Sequence, residues 1–392
     1  MFRYYLTLVV LLQAVLAFTP FSGFTRFGTG LKLGFNDNHV LSMKLGEDEK
    51  VLVIGVAADS GCGKSTFMRR LTKVFGGAEV GPLGGGFGNG GWETNTLVSD
   101  MTTVICLDDY HLNDRAGRKV SGLTALNVKE QKFDLMYDQI KSLKEGKSIS
   151  KPIYNHVNGT LDTPETIEPT PIVIIEGLHP IADEKVRSLL DFSIYLDISD
   201  EIKFAWKIQR DMAERGWTLE QVQESIEQRK PDFASYVAPQ MGDADVVLSV
   251  LPSGVSQEPV GTHLKVEMVQ RTGMDSFTPV GCSTSKKLLD IPSPCGVEIG
   301  SGSREFYGRN VDVVSMDGKL DNINDFSKVE TFFSTTGANT ADEISSELIK
   351  VGADSPGSLD GTGLFQTITA LKLREFYQKV TGKKVGSEAV SA

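Results

Sequence analysis

Residues 51–66, VLVIGVAADSGCGKST, leave few folds open. The first seven are a continuous apolar run rich in β-branched side chains, as a strand buried on both faces requires. A glycine-bearing turn follows, and Lys64-Ser65 opens a segment with helical spacing to Phe75. Strand, glycine-rich turn and helix in that order aim backbone N–H groups inward, beside the partly positive end of a helix. That is a cradle for phosphate groups. Its candidate residues are Asp59, Ser60, Gly61, Cys62, Gly63, Lys64, Ser65 and Thr66. Lys64 would reach the β- and γ-phosphates of a nucleotide, and Ser65 would ligate Mg²⁺. The common pattern G-x-x-x-x-G-K-[ST] starts on glycine, where this chain has Ala58. Alanine fits if the backbone there keeps a negative φ. Cys62 places a thiol in the bend; a following helix and a neighbouring Lys64 predict a lowered thiol pKa.

More buried strands are predicted at 102–107, 171–177, 192–199 and 244–250. Helices are predicted at 129–144, Asp200–Arg215 and 218–229, the first with Phe133, Leu135, Met136, Ile140 and Leu143 on or near one face. Strands alternating with helices predict an α/β fold: a doubly wound, mostly parallel sheet of the phosphate-loop kinase kind. After about Pro252 shorter strand-like stretches take over, ending in a helix near 364–380. The expected division is a core over 45–252 and a β-rich C-terminal extension over 253–392 that packs on it. Residues 76–91 hold nine glycines in sixteen positions and predict a surface loop.

The first 44 residues stand apart. Arg3 precedes a short apolar run to Leu16 that ends in small residues, as in a secretory signal peptide. The next stretch has phenylalanine, Ser, Thr, Gly and basic residues with no acid before Asp37, as in a plastid transit peptide. The two together predict a two-part leader to a complex plastid, reached through the secretory pathway. The whole chain carries a net charge of −11, and its leader is basic, so the body is strongly acidic. Such a body repels nucleic acid and anionic membranes, and anionic ligands need a local cationic cluster. Four cysteines, Cys62, Cys106, Cys282 and Cys295, are too few for a disulfide scaffold in 392 residues.

Three segments can complete a phosphoryl-transfer site. Glu176 ends an apolar strand, where a carboxylate needs a partner such as magnesium; it also suits a helix cap. Asp108 and Asp109 follow the strand at 102–107, at an edge where such sheets bind ligands. Either is a candidate base, and turn acids also cap helices. Arg115, Arg118 and Lys119 then offer charge for an anionic substrate. Lys207, Arg210, Asp211 and Arg215 share a broad face of one helix, which an exposed salt-bridge helix would also show.

These segments resemble the phosphoribulokinase family of the plant and algal plastid type, within the wider phosphoribulokinase/uridine kinase family. The resemblance spans roughly residues 50–380. It rests on VIGVAADSGCGKSTFMRRLT, ICLDDYH, FDLMYDQIKSLKEGK, KPIYNHV, IIEGLHP, DFSIYLDIS, FAWKIQRDM and RKPDF, and later on FYG, MDG and GTGLFQTI. It implies ATP-dependent phosphorylation of ribulose 5-phosphate at its 1-hydroxyl, with Mg²⁺. By position it implies Asp108 as the base and Glu176 on the metal side. Arg115, His156, Lys207, Arg210 and Arg215 would face the sugar phosphate or the transferring group, with Asp211 and Arg229 also in the site. It implies redox pairs Cys62–Cys106 and Cys282–Cys295, though the wider spacing of both pairs departs from the plant pattern. It further implies a homodimer, and thioredoxin, a small disordered redox regulator and glyceraldehyde-3-phosphate dehydrogenase as partners. A uridine kinase-like nucleoside kinase and a catalytically silent assembly partner are the alternatives. The first has little use for four cationic residues around an uncharged acceptor; the second has little use for an intact Lys64, Ser65, Asp108 and Glu176.

Overall fold

The computed structural model describes residues 50–76, 96–99, 101–273, 279–282, 286–288, 290–334, 343–353, 355 and 357–383. The expected leader and nearly all of the glycine-rich loop lie outside them. The strands are β1 (Leu52–Ala58), β2 (Thr96–Val98), β3 (Thr102–Cys106), β4 (Ile149–Tyr154), β5 (Leu161–Ile167), β6 (Ile172–Gly177), β7 (Phe192–Ile198), β8 (Val246–Pro252), β9 (Leu264–Arg271), β10 (Gly281–Cys282), β11 (Lys286–Leu288), β12 (Val297–Phe306), β13 (Arg309–Gly318) and β14 (Phe333–Ser334). Ten of them form one sheet in the order β11-β12-β13-β9-β8-β7-β1-β6-β3-β2. Strands β3, β6, β1, β7 and β8 run parallel, and β2 closes that side antiparallel. From β8 outward, β9, β13, β12 and β11 pair antiparallel, so the segment after Pro252 continues the same sheet.

The helices are α1 (Lys64–Phe75), α2 (Arg115–Ser121), α3 (Phe133–Lys144), α4 (Glu184–Ser188), α5 (Asp200–Arg215), α6 (Leu219–Asp232), α7 (Phe326–Glu330), α8 (Glu343–Val351) and α9 (Gly361–Thr381). Alternate residues of β1 face opposite layers, as a pleated strand dictates. Leu52, Ile54 and Val56 pack with Phe67 and Leu71 of α1 and Phe365 and Ile368 of α9. Val53 packs on the other face with Met136, Ile140 and Leu143 of α3. The predicted helix over 129–144 is shorter than expected. Residues Val128–Glu130 form a separate 3₁₀ turn, His111 bridges to Gln131, and α3 starts at Phe133. Leu135, expected near the apolar face, is exposed. Conversely α6 runs past Arg229 to Asp232 with Pro231 in its last turn, where its end passes into a wider turn over Phe233–Val237. No described helix is long and apolar enough to cross a membrane.

Candidate active site

Parallel strands bring their carboxyl ends to one edge, and the predicted phosphate loop leaves β1 there. Gly61 and Gly63 have φ of 86° and 73°, a left-handed conformation that glycine adopts without strain. Ala58 ends β1 at 0% exposure with no positive φ, so its side chain is accommodated. Helix α1 has neither a side-chain cap nor an acid in its first turn, leaving its N-terminal N–H groups to the loop.

Lys64 Nζ lies 2.5 Å from Glu176 Oε2 across the edge, and the register sets Glu176 beside Val56 and Cys106. Burial alone would lower the Lys64 pKa, but Glu176, Cys106 and Asp108 outweigh it and raise it. Asp59 pins two more cations to the loop: Arg229 Nη2 at 3.2 Å and Lys203 Nζ at 3.7 Å. Lys203 is almost fully buried, and its ammonium sits 4.0 Å from the centre of the Phe233 ring. Sequence reasoning missed Lys203; its place one turn before Lys207 on α5 was the available signal.

The two acids after β3 part company. Asp109 is fully buried, hydrogen-bonds the Lys151 ammonium and accepts from Tyr154 N at 2.7 Å. Burial pushes its carboxyl up to about 6 against the pull of Lys151. Asp108 stays partly exposed, with His111 Nε2 and His156 Nε2 each 3.9 Å from its oxygens. Burial favours its neutral form, yet His111, His156, Lys64 and Arg229 prevail and hold it below the usual carboxylate range. Gln131 Nε2 lies 3.0 Å from His111 Nδ1 and donates to it, so the ring proton falls on Nε2, toward Asp108. Burial keeps His111 below the usual histidine range.

His156 sits in the turn between β4 and β5. Arg115 Nη2 donates to its carbonyl at 2.8 Å, and its ring meets Tyr154 edge-on at 5.1 Å. Arg118 donates to Tyr154 Oη at 2.7 Å. Lys207 Nζ lies 3.6 Å from Asp211 Oδ2, and both residues are buried. Arg210 and Arg215 belong to α5, but their side chains are outside the described residues.

All four cysteines are free thiols. The predicted low pKa of Cys62 is corrected. Burial, and then Asp59, push the thiol up by more than Lys203 and Lys64 pull it down. Burial likewise raises Cys106, whose Sγ clusters within 4.8 Å of ligand atoms of Asp108 and His156. Magnesium takes hard oxygen donors. Ser65 is exposed on the first turn of α1, and the buried Oε2 of Glu176 meets the Lys64 ammonium and accepts no other hydrogen bond among the described residues. Both oxygens match that preference. The thiol and imidazole of the Cys106 cluster do not.

The profile of the Phosphoribulokinase / Uridine kinase family matches residues 53–255. A chloroplastic phosphoribulokinase of Chlamydomonas reinhardtii is 51% identical over 348 residues, covering 86% of this chain and 91% of its own length. A Synechocystis sp. phosphoribulokinase is 45% identical, covering 86% of this chain and 96% of its own. A uridine kinase of Borrelia duttonii is 31% identical and covers 93% of its own length but only 52% of this chain.

Proposed function

The chain belongs to the phosphoribulokinase/uridine kinase family, and from that premise we infer that it is a phosphoribulokinase. It transfers the γ-phosphoryl group of ATP to the 1-hydroxyl of ribulose 5-phosphate. The observation that carries this reading is the convergence of Lys64, Glu176 and Asp108 at the ends of three neighbouring parallel strands, with His156 against Asp108. The loop N–H groups and Lys64 hold the phosphates. The substrate hydroxyl forms the new P–O bond, the bond to the ADP oxygen breaks, and the hydroxyl proton passes to Asp108. A carboxylate held below its usual range is a weak base. That suits a loose phosphoryl-transfer transition state, in which positioning counts for more than early proton removal. Arg115, His156, Lys207, Arg210 and Arg215 hold the sugar phosphate; Asp211 stands beside Lys207, and Arg229 joins the site from Asp59 of the phosphate loop. Ser65 and Glu176 would hold Mg²⁺, which neutralises phosphate charge when bound.

Two finer readings belong to this proposal. Oxidation joins Cys62 to Cys106, and Cys282 to Cys295, and the first bond stops activity. Its support is position: one thiol lies in the phosphate loop and the other beside Asp108. Both are buried, so the loop must open first. The enzyme works in a plastid stroma reached through the two-part leader, as a homodimer that docks redox partners; the leader composition and the family resemblance support this. The test is an ADP-coupled assay over ribulose 5-phosphate, ribulose, ribose 5-phosphate and uridine. Turnover with ribulose 5-phosphate at least about a hundredfold above uridine is expected, the kind of ratio a site built for a charged group achieves. Preference for uridine would return the chain to the nucleoside kinases, and no turnover with any acceptor would favour an assembly role.

A further inference from the structure

The cluster of Cys106, Asp108 and His156 falls outside the magnesium chemistry above, and three elements build it. Cys106 ends β3, Asp108 follows in the 3₁₀ turn over Leu107–Tyr110, and His156 stands in the turn between β4 and β5. One ligand atom from each lies within 4.8 Å of the other two. His156 Nε2 and Asp108 Oδ2 are 3.9 Å apart. A tetrahedral zinc ion with bonds of about 2.1 Å sets its ligands about 3.4 Å apart, so side-chain movements of about 1 Å close the cluster. Asp108 and His156 have that freedom, because both are partly exposed. Cys106 is buried and supplies the fixed corner. The charges nearby also suit a cation. The register sets Glu176 beside Cys106, and the one close ammonium, Lys64, is already paired with Glu176.

We propose that Cys106, Asp108 and His156 bind a soft divalent cation of the zinc class, and that this cation closes the active site. Thiolate, imidazole and carboxylate together are donors that such an ion selects, whereas magnesium prefers oxygen alone. Three protein ligands leave the fourth corner to water, on the side where Asp108 and His156 meet solvent. On binding, the sulfur–metal bond forms, the S–H bond breaks and its proton leaves to solvent, with no electron transferred. His156 binds as neutral imidazole through Nε2, and Asp108 through a carboxylate oxygen. The cation then occupies the carboxylate that receives the hydroxyl proton, and it stands between His156 and the incoming sugar phosphate. It also holds the Cys106 sulfur, which cannot enter a disulfide while bound. The binding claim rests on the geometry; the loss of turnover rests on the kinase reading above.

The test uses the reduced full chain, with Co²⁺ as a coloured probe and Zn²⁺ as its competitor, in excess Mg²⁺. Stoichiometric Co²⁺ should give a thiolate-to-cobalt charge-transfer band in the near ultraviolet and the visible bands of tetrahedral cobalt, and Zn²⁺ should erase both. Cys106→Ser should abolish the charge-transfer band. His156→Gln should weaken Co²⁺ and Zn²⁺ binding by at least about tenfold, the loss that even an outer-shell partner of a metal ligand causes. Cys282→Ser and Cys295→Ser should leave the spectrum unchanged. Stoichiometric Zn²⁺ should stop ADP release with ribulose 5-phosphate, and a chelator should restore it. If Cys106→Ser does not fold, His156→Gln, in a surface turn, decides alone. The absence of a thiolate band, or a band that survives Cys106→Ser or is lost with Cys282 or Cys295, overturns the site and leaves the kinase standing. A band with turnover undiminished overturns the closure of the active site. A chain that shows the band but turns over no acceptor with Mg²⁺ alone overturns the kinase reading, and the closure with it, while the cation site stands.

Discussion

Strands β3, β6 and β1 run the same way, and their ends deliver Asp108, Glu176 and the Lys64 loop to one edge. Strands β9, β13, β12 and β11 alternate in direction, so their ends are shared between two edges. Both flanks reach the core: Val266, Val297, Ile299 and Met316 join the same buried cluster as Leu52 and Ile54. The difference lies in where chain ends gather. A parallel array stacks turns and helix starts on one side, which concentrates backbone N–H groups and polar side chains there. An antiparallel array disperses them: β9 brings Leu264 and Val266 to the space beside Gly63 and Thr66, apolar side chains rather than reacting groups.

The sharpest test of this division is Asp108→Asn. Turnover should fall by about 10²–10⁴, the range for a positioned base, with ATP affinity and the unfolding midpoint near normal. Activity and denaturation measured on the same preparation check both expectations. If Asp109→Asn is the variant that loses turnover while staying folded, the two acids are assigned the wrong way round.

Chemistry and stability should also separate within the parallel flank. Lys151 is fully buried against Asp109 and lies 3.0 Å from Glu165. Lys151→Met leaves those carboxylates without their cation, which costs about 3–5 kcal/mol for a broken buried pair. Urea unfolding should register that loss. A stable Lys151→Met protein with poor turnover would move Asp109 into the chemistry.

A third test uses pH. His179, buried in the same flank, is lowered from an ordinary 6.5 to about 4, first by burial and then by His111. Between those values the unfolded chain binds the proton and the folded one resists it. Stability is therefore full above pH 6.5 and declines toward pH 4, by roughly 3 kcal/mol if the whole shift is expressed. His179→Gln, compared by urea midpoint at pH 7 and pH 4.5, should show a shallower decline. An unchanged slope would place the acid sensitivity elsewhere.

The parallel flank is also the more legible one. Strands buried on both faces announce themselves as apolar runs, and 172–177 and 192–198 are readable to within a residue or two. Helix α1 is readable to the residue because Gly63 and Gly76 flank it. The residues cannot separate Asp108 from Asp109, because the partner that buries Asp109 lies 42 positions away. The burial of Cys62 is equally hidden. A helix start and a lysine are local signals, whereas the packing that excludes water from the thiol comes from the whole core. The pairing of 264–318 into the main sheet depends on register between distant strands, and short alternating segments do not encode a partner.

The smallest effect probes the antiparallel flank directly. Strand β12 buries only its start: Val297 and Ile299 are fully enclosed, and residues 301–305 are exposed. Ile299 pairs with Met316 on one side and Lys286 on the other, one strand in from the sheet edge. Ile299→Val removes one methylene and keeps the β-branched shape, so the strand's backbone preference is untouched. The loss should be about 0.5–1.5 kcal/mol, toward the lower end because short β11 can shift to close the gap. The urea midpoint should fall with its slope unchanged. Turnover at saturating ATP and ribulose 5-phosphate should equal wild type, since β13, β9, β8 and β7 stand between β12 and β1 in the sheet. A turnover loss larger than the unfolded fraction explains would mean that the antiparallel flank positions the reacting groups, and the division between the two flanks would have to be redrawn.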